Sequence, residues 1–177
     1  MEKRAAVWID TVLYTLIGLA IIASLLAVIT PKISELKDRF TIQQTIQSMN
    51  TLDDTILRAR EATGMTLNYV IYLNKGDLSI DAINDRISWQ SQSNYGGLSE
   101  ENVTVNITAG KMSALTVPYQ GAWKVMLSMD YTPYNINITI NGQDAATKTL
   151  SPANLPYSIW IANNGTTGGK QQIDFSI

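Results

Sequence analysis

Residues 11–29 run TVLYTLIGLAIIASLLAVI, nineteen consecutive positions without a charge. As a helix, at 1.5 Å per residue, that run spans roughly 28 Å, about the thickness of a bilayer core. Lys3 and Arg4 precede it. The bias of positive charge toward the cytoplasmic side of membrane helices orients the chain with its N-terminus inside and everything after Pro31 outside. A removable secretory signal is the rival reading. Such a signal has an apolar region of about 7–15 residues and ends at an A-x-A-like site. Here the run is longer, no good site of that kind lies near Ile29, and the helical pattern continues past it.

Pro31 removes an i to i−4 hydrogen bond and predicts a kink rather than an end, because no turn signal follows for thirty residues. Residues 32–62 read as good helix, with Gly64 placed as a C-cap. A single element from Ala6 to Ala62 would be about 85 Å long, and a helix of that length needs partners along it. At 100° per residue its apolar positions fall on two faces. Ile33, Leu36 and Phe40 cluster within about 60° of one another. Ile42, Ile46, Met49, Leu52 and Ile56 lie roughly opposite. One reading is a helix twisting around a single core. The sharper one gives the second set to the chain's own head domain and the first to neighbouring subunits.

From Leu67 the apolar period changes from 3.6 to 2. Residues 67–73 read as a strand, Asn74-Lys75-Gly76-Asp77 as a turn, and residues 78–80 as the returning strand of a hairpin. Ile87-Ser88-Trp89 reads as a third strand and residues 91–101 as a polar loop. Alternating sets follow: Val103, Val105, Ile107; Trp123, Val125, Leu127, Met129, Tyr131; Ile136, Ile138, Ile140; Tyr157, Ile159, Ile161; Ile173, Phe175, Ile177. Asn141-Gly142 and Asn163-Asn164-Gly165 read as turns, and Gly168-Gly169 as a hairpin tip. One-sided burial of this kind belongs to antiparallel sheets. The expected fold is therefore α+β: a long N-terminal helix, transmembrane then amphipathic, over 6–63, and an antiparallel β-sandwich or partly closed barrel over 64–177, built from about seven or eight strands.

Cysteine and histidine are both absent. That excludes disulfides, thiolate or imidazole metal sites, and Cys–His or Ser–His–Asp catalysis. No cofactor, metal or enzymatic activity is expected. A net charge of −2 without a basic patch gives no reason to expect nucleic acid. Asp53-Asp54 reads as a solvated helix face. Asp77, Asp81 and Asp85 are spaced by four, too loosely for a calcium loop, which needs six or more oxygens around a shaped turn. Four N-x-Ser/Thr sequons, at Asn102, Asn106, Asn137 and Asn164, all follow the helix. They mark glycosylation sites, or are what Asn and Thr on polar strand faces produce by accident.

The stretch Lys3-Arg4-Ala5-Ala6-Val7-Trp8-Ile9-Asp10-Thr11-Val12-Leu13 resembles an archaeal class III signal peptide with its prepilin peptidase site. The match covers about the first 30 residues and is that of type IV pilin-like proteins. The resemblance implies a leader over residues 1–5, cut between Ala5 and Ala6, and an acid, Asp10, at the fifth mature position. Many type IV pilins carry Glu there, so Asp is a departure. It further implies prepilin peptidase and the membrane as partners, a helical homo-oligomeric filament at the cell surface, and residence in the cytoplasmic membrane before assembly. Asp10, Ile33, Leu36 and Phe40 would then serve assembly. The plainer alternatives are a signal-anchor flank for Lys3 and Arg4 and a first-turn acid for Asp10, which helix starts favour. The whole chain would on those terms be a membrane-anchored extracellular binding domain, or a minor pilin or pseudopilin of a secretion machine. Mass spectrometry of protein from its native cell is expected to find a chain starting at Ala6. A chain retaining Lys3 and Arg4, or one starting after Ile29, would sink the resemblance.

Overall fold

The computed structural model describes residues 2–108 and 111–177, with backbone alone for 2–7 and Ile9. The chain divides into two compact units, Met1–Lys37 and Asp38–Ile177. Helix α1 (Glu2–Arg60) contains Pro31 and is assigned as helix throughout. It stops at Arg60, two residues before the expected end, and Gly64 follows in the left-handed region at φ +83°. Arg58 and Arg60 in the last turn complement the negative end of the helix dipole.

In the first unit the apolar run is bare. Leu13, Leu16, Leu19, Ile22 and Leu26 are all more than half exposed. This helix is long and apolar enough to cross a membrane, and none of its apolar window is buried within the chain.

The second unit joins the end of α1 to ten strands among the described residues: β1 (Thr66–Ile71), β2 (Asp77–Asp81), β3 (Arg86–Ser93), β4 (Thr104–Ile107), β5 (Met112–Tyr119), β6 (Ala122–Asp130), β7 (Ile136–Ile140), β8 (Thr147–Leu150), β9 (Tyr157–Thr167) and β10 (Lys170–Ser176). They form two open sheets, ordered β1-β9-β10-β7 and β4-β5-β6-β3-β2-β8. Alternation explains the inner faces. Val125, Leu127 and Met129 of β6, Ile159 and Ile161 of β9, and Ile173 and Phe175 of β10 are buried, with more accessible residues between them. Met49, Leu52, Ile56 and Ala59 of α1 are fully buried in the same core. The helix end is capped from the smaller sheet. Asn163 Nδ2 donates to the Ala59 and Arg60 carbonyls at 3.1 and 3.2 Å, and Gln171 Nε2 donates to Arg60 O at 2.6 Å. Those are carbonyls a helix cannot satisfy internally.

The structure corrects several expectations. The sheets are open, so there is no barrel closure, and they are not wholly antiparallel: β10 runs parallel to β7, with Ile173 opposite Ile138. β1 and β2 are not a hairpin. β1 pairs with β9 and β2 with β3 and β8, because the turn at Gly76 carries the chain from one sheet to the other. Gly76 sits at φ +76°, and a Cβ there would lie 2.6 Å from Gln90 O and 2.7 Å from the Trp89 ring. Strand β3 continues through Ser93 into the expected loop. Asn163 lies within β9 instead of in a turn, whereas Gly168 and Gly169 do join β9 to β10. β5 and β8 were not anticipated. The inward positions of β5 are Met112, Ala114 and Thr116, while Leu115 and Val117 sit on its other face, so the apolar alternation is blurred. Val103 precedes β4 and is exposed, and Ile177 lies past β10 and is exposed as well.

Leu52 has no exposed surface, so Leu52→Ala is expected to cost about 2–5 kcal/mol. Denaturant unfolding of the full chain in detergent measures this, with an unchanged midpoint as the contrary result.

Candidate functional site

Two sets of side chains stand out, an exposed apolar face on α1 and a group of buried acids that hold the head together. The sequence-assigned assembly residues are all accessible: Ile33 is 47% exposed, Leu36 59% and Phe40 66%. Asp10 is exposed too. The opposite face behaves differently. Ile42 is buried, Ile46 is partly buried against the core, and Met49, Leu52 and Ile56 have no exposed surface. Ala5 and Ala6, expected to flank the cleavage, and Lys3 and Arg4, expected to orient the chain, lie outside the residues whose side chains are described.

Phe40 and Ile42 are two residues apart, so the change from wet to dry face takes about half a helical turn. Asp38 marks the place. Its carboxylate is buried, pairs with Lys75 Nζ, and accepts hydrogen bonds from the Asn94 backbone amide at 2.6 Å and from Asn94 Nδ2 at 2.9 Å. Burial opposes its charge, yet the Asn94 amide and the Lys75 ammonium bring its pKa below the ordinary carboxylate value. Next to it, the Arg39 guanidinium stands 5.7 Å over the Tyr95 ring. The helix is thereby tied to the β1–β2 loop and to the residues after β3.

Asp53 makes a second tie. It accepts from Lys111 Nζ at 3.2 Å and from the Tyr131 hydroxyl at 3.1 Å. This corrects its reading as a solvated acid; Asp54 is the exposed member of the pair. Burial first, and Asp53 next, push the Tyr131 hydroxyl well above its ordinary value. The Lys111 ammonium is raised by its hydrogen bond to Asp53. Asp85 makes a third tie, between sheets. It sits at φ +49° in the β2–β3 turn, and its carboxylate takes the Ile138 amide at 2.8 Å and Lys170 Nζ at 2.9 Å. Asp77, Asp81 and Asp85 do not converge. Asp81 closes its own turn through Ile83 and Asn84, and Asp77 accepts from Ser151 Oγ.

The four sequons separate. Asn102, Asn106 and Asn164 are exposed. Asn137 is half-buried, and its Nδ2 donates to Asp144 at 2.7 Å and Gln172 at 2.8 Å. Sequence reasoning missed the buried acids. Asp38 stands between exposed residues on α1, and its partners lie 37 and 56 positions away, so no local pattern announces it.

Compared with family models, with curated proteins and with solved structures, this chain gives no match.

Asp38 has a pH signature. Its folded pKa is lowered, so its contribution to stability is complete above the unfolded value of about 3.9 and is lost as pH falls through the folded one. Asp38→Asn is expected to lower stability by about 1–3 kcal/mol at pH 7. The gap to the native chain should narrow below about pH 4. Guanidinium midpoints at several pH values test this, and a gap independent of pH would show that the charge is immaterial.

Proposed function

We propose that this chain is the structural subunit of an extracellular type IV pilus-like filament, held in the cytoplasmic membrane by α1 before assembly and polymerised through it. The observation that carries the reading is the continuation of exposed apolar side chains beyond the length a bilayer needs. The uncharged run ends at Ile29, and Lys32, Glu35 and Lys37 follow. A membrane span would be complete there. Yet Ile33, Leu36 and Phe40 also keep about half or more of their surface in solvent, where fully burying such a side chain from full exposure is worth about 1.5–3 kcal/mol and these forgo part of it. Membrane anchoring alone gives these three nothing to cover them. Copies of the same helix, packed side by side, would.

On this reading prepilin peptidase cuts between Ala5 and Ala6 and frees an amine of pKa about 7.7–8.0. The apolar helices then leave the bilayer and bundle, with the two-sheet head outside. Asp10 would enter that bundle as a carboxylate, and a charge in an apolar interior is tolerated when paired. The Ala6 amine of the same or an incoming subunit is the available cation, and pairing between subunits would fix their axial register.

The test separates assembly from folding. Phe40→Asp should leave the melting temperature nearly unchanged and abolish filaments in the native cell. Asp10→Ala should be processed and membrane-held but poorly assembled, whereas Asp10→Glu should assemble. Normal filaments from both Phe40→Asp and Asp10→Ala, or none from the native chain, would leave an anchored extracellular domain as the better account.

A further inference from the structure

We propose that Asn106 carries an N-linked glycan whose first sugar ring lies in the hollow between Asn106 and Tyr134. The inference rests on the extracellular placement of the head. Among the sequons, Asn137 is disfavoured by its surroundings. Its Nδ2 is committed to two acceptors, and its sequon hydroxyl, Thr139, is buried and donates to Asp174 at 2.6 Å. Asn106 is the reverse. It lies on β4, at the edge of the larger sheet, and its amide makes no hydrogen bond with the described residues.

What distinguishes Asn106 from Asn102 and Asn164 is the ground beside it. Cross-strand register sets Asn106 against Ser113, and Ser113 against Ser128. These small side chains line a hollow of about 150 Å³ together with Lys111, Asp130, Pro133 and Tyr134. The hollow opens to solvent and has room for a sugar ring. The chemistry suits a pyranose. Serine hydroxyls and the Asp130 carboxylate meet its hydroxyls, and the Pro133 ring and the Tyr134 ring, 40% exposed, offer an apolar flank to its C–H face.

The attachment balances simply. Asn106 Nδ2 forms a bond to the anomeric carbon of a lipid-linked sugar phosphate. The bond from that carbon to the phosphate oxygen breaks, the phosphate leaves on its lipid, and the amide nitrogen gives up one proton.

Intact masses of the full chain from its native cell decide the first half. Asn106→Gln should remove one glycan mass, and Asn137→Gln should remove none. An unchanged mass for Asn106→Gln overturns the proposal. Protease treatment of intact cells separates this from the wider reading. A head cut from the cell surface with Asn106 unmodified defeats the inference alone, whereas a protected head with no sequon modified defeats the extracellular placement as well. The docking is read by coupling. Tyr134→Ala should lower the melting temperature of the glycosylated chain more than it lowers that of Asn106→Gln, and equal shifts would overturn the seat on Tyr134.

Discussion

The head depends on the burial of one strip of α1, formed by Met49, Leu52, Ile56 and Ala59. Two open sheets do not close upon themselves, and without cysteine no covalent bridge holds them. The strip gives both a shared apolar partner. Its end is finished by polar groups from the smaller sheet: Asn163 and Gln171 take the last helical carbonyls, and the Arg60 guanidinium donates back to Gln171 Oε1 at 2.9 Å. The last carbonyls of a helix have no intrahelical donors, and these side chains supply them.

Around that strip, three buried aspartates fix position, and each stabilises the head only while its partners are in place. Each pairs with a lysine whose ammonium keeps some water, and each also takes a donor other than lysine: the Asn94 amide for Asp38, the Tyr131 hydroxyl for Asp53, the Ile138 amide for Asp85. Taking a carboxylate out of water is costly, and hydrophobic replacements are often as stable. What a carboxylate adds is selectivity, because a displaced neighbour leaves it unpaired. Asp38 holds the helix to the loop before β2 and the residues after β3, Asp53 holds it to the larger sheet, and Asp85 holds that sheet to β7 and β10.

Much of this was legible from residue order. The apolar run, the change of period near Leu67, and the inward sets of β6, β7 and β9 each depend on neighbours a few positions apart, where sequence patterns are informative. The division of α1 into a wet face at Ile33, Leu36 and Phe40 and a dry one from Ile42 onward had the same local source. Strand partners did not. Nothing in residues 66–81 tells that β1 and β2 belong to different sheets; that is settled by β9 and β3, the former as far off as Ala162 is from Thr66. The buried acids were hidden for a related reason. Aspartate on a helix is ordinarily solvated, and only distant lysines and amides reverse that at Asp38 and Asp53.

The pairing of Val70 with Ser158 has a consequence for the order in which the head forms. The larger sheet contains a run of near neighbours, β4 to β5 to β6, that closes short loops. The smaller sheet must first bring β1 to β9 across most of the head, and long loops close slowly. The meander should therefore form early and the sheet that caps α1 late. Pulsed hydrogen exchange would then protect β5 and β6 amides before those of β1. During that interval Met49, Leu52 and Ile56 lack the cover that the smaller sheet gives them. Newly made heads are thus most prone to clump before the smaller sheet closes, and whatever keeps them apart must act in that window.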